Sequence, residues 1–330
     1  MTIELQISSD SRSSTVNAVA GIAGCDGILN IHKPDGWTSH DVVKRVRSIL
    51  RIQKVGHAGT LDPHATGVLP ILVGKGTRIA QHLIQWDKEY SAVMRLGKST
   101  DTQDAWGTVV KECSTEGLTD DRVCEALRNV QGVIQQVPPM FSAVKVGGQP
   151  LYKKARKGES VERSSKTVTI QKIEIVQSQV PVVSFKVACS KGTYIRTLCA
   201  DVGEVLEVGG HLEWLQRTRV GPLRLEDATH VQMLENVTRL ADLGKAFLNL
   251  DQALAQFPLV EVQGDDARKV LHGNAIPWGR IREGNLSGAT RKTEGLPIRI
   301  KDQSGRLLAL GSGPTSIAGD PYLKIETVLV

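Results

Sequence analysis

Residues 54–70 read Lys-Val-Gly-His-Ala-Gly-Thr-Leu-Asp-Pro-His-Ala-Thr-Gly-Val-Leu-Pro. They set one carboxylate, Asp62, into a glycine- and threonine-rich loop that runs into apolar sequence. Gly56, Gly59 and Gly67 permit backbone angles and close approaches that other residues resist. Pro63 fixes the chain just after the aspartate and biases Asp62 toward an extended conformation. An isolated Leu-Asp-Pro is ordinarily a turn that caps its own backbone. This one sits in a loop built to hold a single charged group still, which makes Asp62 the candidate for chemistry.

On either side the residues divide into short elements. Gly27–His32 is an apolar strand ended by the Lys33-Pro34-Asp35-Gly36 turn, and Ser39 can cap a helix carrying Val42, Val43, Val46, Ile49 and Leu50 on one face. Thr77–Ile84 reads as a second helix and Tyr90–Gly97 as a strand. Thr119, followed by Asp120 and Asp121, opens a helix with Val123, Leu127 and Val130. Val183, Phe185, Val187 and Cys189 alternate as a half-buried strand, and helical spacing resumes at Ile195, Leu198, Val202 and Val205. Strict βαβ alternation is absent, so an α+β domain with a mixed, mostly antiparallel central sheet flanked by helices is expected. Beyond Leu250 short apolar segments broken by glycines predict a small β-barrel or sandwich. The expected organisation is a flexible tail over 1–26, rich in Ser, Ala and Gly, a main domain over 27–250 and a small β-rich domain over 251–330.

Composition narrows the function classes. The chain has 330 residues and a net charge of +6, from 41 Lys+Arg against 35 Asp+Glu, a mild basic bias compatible with a polyanionic partner. Lys44, Arg45, Arg47, Arg51 and Lys54 lead up to the Asp62 loop, and Lys153, Lys154, Arg156 and Lys157 form a second run suited to phosphates. The five cysteines are an odd number without a Cys-x-x-Cys pair, which argues for free thiols in a reducing cytoplasm. No apolar run is long enough to span a bilayer. The eight histidines show no ligand spacing, so no metal is expected. Val73-Gly-Lys-Gly-Thr77 lacks the spacing of a nucleotide-binding Walker loop.

The Lys-Val-Gly-His lead-in followed by Gly-Thr-Leu-Asp-Pro resembles the catalytic signature of the TruB family of RNA pseudouridine synthases. Four further stretches match that family in chain order. Gly27 to Ser39 resembles its opening strand and turn, and Lys88-Glu-Tyr90 through Thr100-Asp101-Thr102-Gln103-Asp104 its second motif. Pro138 to Lys145, with Tyr152 and Ala155-Arg156, resembles its middle segment, and Ser190-Lys-Gly-Thr-Tyr-Ile-Arg-Thr-Leu198 its third catalytic motif. Together they span residues 27 to about 222. Ile298–Gly305 and Leu308–Gly311 are similar to the PUA-type RNA-binding module that follows many such catalytic domains.

The resemblance implies the pseudouridine synthase fold and roles for particular residues. Arg196 is implied as the cation that pairs with Asp62 and keeps it ionised in an apolar pocket. Tyr194 matches the active-site tyrosine that lies against the target nucleotide or hydrogen-bonds it, Tyr90 the tyrosine that stacks on the target base, and Leu215 the apolar wall of the uracil pocket. His57 resembles the histidine that fills the space left by the flipped nucleotide; His64 has no such assignment. Tyr194 and Arg196 share a face on an extended chain but diverge on a regular helix, so the helix is expected to begin at or just before them.

Forming pseudouridine breaks the N-glycosidic bond of a uridine and rejoins the turned uracil through carbon. The reaction needs neither a redox cofactor nor ATP, so no cofactor is expected. A carboxylate can serve it as nucleophile or as stabiliser of positive charge at the sugar. The implied activity is a stand-alone synthase acting on the T-loop uridine, position 55, of tRNA, without a guide RNA, as a cytoplasmic monomer. A non-catalytic tRNA-folding chaperone and a plain nucleoside glycosidase are the competing readings.

Overall fold

The computed structural model describes residues 25–281, 296–317 and 320–330; except for Cys25 and Asp26, the expected tail lies outside them. Strand β1 (Gly27–Lys33) turns at Pro34–Trp37 into helix α1 (Ser39–Leu50). The buried face of α1 carries Val42, Val43, Val46, Ile49 and Leu50, as the 3.6-residue period requires. Its cap is Thr38 rather than Ser39. The Thr38 hydroxyl accepts from the Asp41 amide at 3.1 Å, and the Asp41 carboxylate accepts from the Thr38 amide at 3.1 Å, a reciprocal box. Ser39 is thereby left for another partner.

The chain continues through β2 (Thr66–Val73), β3 (Lys88–Leu96), α2 (Asp120–Asn129), β4 (Gly132–Gln136), β5 (Lys166–Gln179), β6 (Val182–Cys189), α3 (Ile195–Val205), β7 (Gly210–Val220) and β8 (Thr229–His230). Thr119 caps α2 and Tyr194 precedes the first turn of α3. The expected helix over Thr77–Ile84 is instead a 3₁₀ segment, Gly74–Ile79, running into four α-helical residues, Ala80–Leu83. The strands form one large sheet in the order β8-β1-β2-β7-β3-β6-β5-β4, with three short strands attached at the side. Along that path β1–β8 and β2–β7 are parallel and the other pairs antiparallel. The sheet is therefore mixed and mostly antiparallel, as the non-alternating order of elements implied.

One face of the sheet packs on α1, α2 and α3 through Val46, Leu127, Leu198 and their neighbours. The other face brings Ile28, Val68 and Leu72 against Leu250, Ala253 and Leu254, together with Leu310 and Leu329 from the chain's last segment. Because β1 and β2 are covered on both faces, they are buried along nearly their whole length, and β2 reads as a continuous apolar run from Val68 to Val73. β3, by contrast, alternates strictly, with Lys88, Tyr90, Ala92, Met94 and Leu96 inward.

After Leu250 come β9 (Leu259–Val262), α4 (Gly264–Leu271), β10 (Ile276–Pro277), β11 (Ile298–Asp302), β12 (Leu307–Ile317) and β13 (Asp320–Val328). These strands make one five-stranded sheet, ordered β9-β11-β12-β13-β10, with β9–β11 parallel. It is β-rich as expected, but it carries a helix that the sequence reading lacked. α4 buries only Val270, too little for its periodicity to stand out.

Candidate active site

A cavity of about 250 Å³ opens where the Asp62 loop, the start of β3, the β6–α3 junction and β7 converge. Asp62, Tyr90, Tyr194, Arg196 and Leu215 all line it. His57 does not: it lies on the short strand Val55–His57, paired with Ile71 of β2. Its Nδ1 is buried without a hydrogen-bond partner, and burial lowers its pKa, reinforced by Arg217 and His40.

Asp62 and Arg196 form a two-pronged pair. Arg196 Nε lies 2.9 Å from Asp62 Oδ2, and Nη2 donates to Oδ1 at 3.2 Å. The guanidinium also donates to the carbonyls of Thr102 at 2.9 Å and Phe141 at 2.8 Å, and Asp104 Oδ2 lies 3.6 Å from Nη1. One buried arginine thus joins the Asp62 loop, the Thr100–Asp104 motif and the middle segment. Its side chain is 5 % exposed, whereas that of Asp62 is 43 % exposed, toward the cavity. Burial raises the Asp62 pKa above its ordinary value; Arg196 opposes the rise, Asp104 adds to it, and Lys33 lowers it. The carboxylate is held in a partly desolvated place with a fixed cation behind it and an open face forward.

The loop itself is pinned from three sides. Lys33 Nζ donates to the carbonyls of Pro34 (2.8 Å), Trp37 (2.5 Å) and Pro63 (2.7 Å), although burial pushes its pKa down to about 8. Ser39, released from capping duty, donates to the Leu61 carbonyl at 3.1 Å and accepts from the Leu61 amide at 2.9 Å. Arg217, 1 % exposed, donates to the carbonyls of Val68 (2.7 Å), Gly59 (2.9 Å) and Thr60 (3.4 Å). Gly67, at φ +100°, is paired with Arg217, and a Cβ there would lie 2.2 Å from the Arg217 carbonyl oxygen, so only glycine fits. Gly59 also has a positive φ. At Gly56 an added Cβ would make only ordinary contact, so that glycine is not required by geometry.

The aromatic walls follow from local structure. Tyr90 faces inward on β3, and burial raises its phenol to about 12, keeping a neutral ring beside Arg217. Tyr194 stands at the N-terminus of α3. Its backbone is gripped by the buried Gln136 amide, which accepts from Tyr194 N at 3.0 Å and donates to Tyr194 O at 3.2 Å. Burial raises its phenol too. The helix starts at Ile195, so Tyr194 and Arg196 both reach the cavity. Lys88 lies beside Tyr90, donates to the Ile84 carbonyl at 2.8 Å and to the Trp86 carbonyl, and is pushed down to about 8 by burial. Sequence reasoning gave no role to Arg217, Lys33 or Gln136. The available signal was the two-residue period that places Arg217 on the same face of β7 as Leu215.

Lys88, Arg196 and Arg217 line the cavity against one carboxylate, Asp62, a balance that favours an anionic ligand. Among the described residues, no group of three His, Cys, Asp or Glu converges to hold a metal. Asp62 is the carboxylate that lines the cavity, with Tyr90 and Tyr194 among its other walls.

Comparison with known proteins bears on this arrangement. A model described as the TruB family pseudouridylate synthase N-terminal domain matches residues 47–195, and one described as the tRNA pseudouridylate synthase B C-terminal domain matches residues 196–255. The protein named tRNA pseudouridine synthase B from Clostridium kluyveri is 46 % identical over 253 residues, covering 76 % of this chain and 85 % of that one. Its namesake from Burkholderia pseudomallei is 42 % identical over 302 residues, covering 91 % and 97 %. In structure, the chain is similar to a Cbf5–Nop10–Gar1 complex at a TM-score of 0.70 and 27 % identity, covering 96 % of this chain and 87 % of that one. An H/ACA RNP bound to a substrate RNA containing 2'-deoxyuridine gives 0.68 at 25 % identity, covering 97 % and 88 %.

Proposed function

Since the chain belongs to the TruB family of pseudouridine synthases, we propose that it isomerises the T-loop uridine of tRNA, position 55, to pseudouridine at Asp62. The observation that carries this reading is the Asp62–Arg196 pair, fixed on a cavity wall beside Tyr90 and Tyr194. A paired uridine hides its glycosidic bond, so the target must be extruded, and an unpaired loop makes extrusion less costly. In the cavity Tyr90 offers a flat neutral ring for the uracil, Leu215 an apolar wall, and Tyr194 a hydroxyl within reach of the nucleotide. Asp62 then acts as nucleophile or as stabiliser of charge at the sugar while the C–N bond breaks and a C–C bond forms. His57 takes the space vacated by the flipped nucleotide.

RNA is held outside the cavity by the exposed Lys153, Arg156 and Lys157 and by residues 251–330 acting as a PUA-like module beside a catalytic domain over 27–250. In the first basic run, Lys44 and Arg45 are engaged by Asp41 and Glu235, which makes the second run the stronger phosphate contact. Action on tRNA without a guide RNA is favoured by the 42–46 % identity to proteins named for tRNA, against 25–27 % to the Cbf5 and H/ACA assemblies. The enzyme works as a monomer in the cytoplasm, where its substrate is.

Pseudouridine is mapped by site in an unmodified tRNA transcript treated with wild type and with Asp62→Asn. The expected result is product at the T-loop uridine, reduced by at least about 10⁴-fold in the variant while tRNA binding persists. Because the ionised carboxylate does the work and burial raises its pKa, the wild-type rate falls as pH drops through that raised value. Its acid limb therefore lies above the range of an exposed aspartate. Tight binding without product from wild type would sink the reading in favour of a chaperone.

A further inference from the structure

A second recess of about 30 Å³ shares Asp62, Arg196 and Leu215 with the cavity and is lined also by Trp106. The Trp106 indole lies flat on the His64 imidazole, with centroids 4.0 Å apart and planes 4° from parallel. His64 is held in turn by Asp35, whose carboxylate oxygen lies 3.1 Å from Nδ1. The Trp106 amide donates to Asp104 Oδ1 at 3.2 Å, and the other Asp104 oxygen faces Arg196. Three loops thus meet at one ring, yet Trp106 remains 52 % exposed. Tying the loops together uses one face of the indole; with His64 covering that face, the exposed half includes the opposite one.

We propose that the open face of Trp106 stacks on an unpaired base of the substrate RNA next to the flipped uridine. This rests on the reading that RNA enters the Asp62 cavity, and it names a contact which that reading does not contain. Turning one nucleotide out of a strand strips its neighbours of a stacking partner on that side. An aromatic plane replaces the partner for any base. The ring is already oriented by His64, Asp35 and Asp104, so little freedom is lost when a base settles on it. Its position in a recess that shares Asp62, Arg196 and Leu215 with the Asp62 cavity suits a neighbour of the target rather than the target itself, which has Tyr90.

The test measures Kd for unmodified tRNA transcripts with full-length wild type, Trp106→Ala and Trp106→Phe. Each protein is also tested with transcripts carrying one abasic nucleotide at successive T-loop positions. Trp106→Ala is expected to weaken binding by about 5- to 150-fold, the range for loss of one stacked base, and Trp106→Phe to recover most of it. One abasic position beside the target should weaken wild-type binding yet have no further effect in Trp106→Ala, the mark of a shared interaction. A general loosening of the loops would instead leave every abasic penalty unchanged between the two proteins, and that result overturns the proposal, as does unchanged affinity in Trp106→Ala. These binding ratios are read whether or not pseudouridine forms, so a failure of the synthase reading appears separately, as absent product from wild type.

Discussion

The Asp62 loop and the C-terminal sheet solve the same problem in opposite ways. Both must keep backbone polar groups satisfied while packing against apolar neighbours. Strands β9 to β13 satisfy one another through their own ladders, so that sheet needs little more than apolar side chains. Ile298, Ile300, Leu308 and Leu323 supply them over Val270 of α4. The loop from Gly59 to Pro63 runs between strands and has no such ladder, and its carbonyls are met by side chains from distant elements: Lys33, Ser39 and Arg217. A charged group can be presented rigidly only by paying in buried polar side chains, and such a region fails sharply when one of them is lost. A self-paired sheet loses stability by degrees.

Arg217→Met is the harshest way to test that contrast. Methionine fills much of the same volume but donates nothing, leaving the Gly59, Thr60 and Val68 carbonyls without their donor. We expect a stability loss of about 3 kcal/mol in thermal or urea unfolding. We also expect a fall in turnover of about 100-fold or more, because the Asp62 loop shifts relative to Arg196. A variant with near wild-type turnover would show that the loop holds its geometry without this anchor.

How much of this was legible beforehand follows from the same contrast. Elements that bury one face announced themselves by period: α1 by its valines, β3 and β6 by alternation, α2 by Thr119 and its apolar spacing. Asp62 stood out from its own glycine- and threonine-rich loop, the roles proposed for Arg196, Tyr90, Tyr194 and Leu215 came from resemblance, and the fold brings all five to one cavity. What stayed hidden were contacts between residues far apart in the chain. Arg217 reaches Gly59 across 158 positions, and nothing in the local pattern around either residue names the other. Ser39 shows the limit most clearly. As a serine before an apolar run it fits a cap, but Thr38 with Asp41 takes that place, and only the three-dimensional approach of Leu61 shows what Ser39 does.

Ser39→Ala therefore separates the two roles. Loss of a cap would cost stability alone. Loss of the Leu61 clamp removes two buried hydrogen bonds one residue from Asp62, so we expect about 1–2 kcal/mol of destabilisation together with a fall in kcat of about tenfold. Thr38→Ala is the matched control, costing about 1 kcal/mol with kcat preserved. Equal kcat values in the two variants would return Ser39 to a structural role.

The smallest effect is expected where the second sheet meets the rest of the chain. Asp251 accepts from Arg299 Nη1 at 2.9 Å and from Lys301 Nζ at 2.7 Å, so two largely buried cations on β11 share one carboxylate that is 36 % exposed. Asp251→Asn keeps the shape and removes the charge. Arg299 retains the Phe257 carbonyl as a partner at 3.0 Å, and water reaches the site, so the cost lies between that of a surface pair and a buried one, about 1 kcal/mol. Turnover at saturating tRNA should stay within about twofold, because no bond to the Asp62 loop is touched. A large loss of turnover from Asp251→Asn would mean that the second sheet positions the Asp62 loop after all, and the division between a brittle loop and a forgiving sheet would have to be redrawn around the Leu250–Leu254 segment, whose apolar residues join the same cluster as Ile28, Val68 and Leu72 of the first sheet and Leu310 of the second.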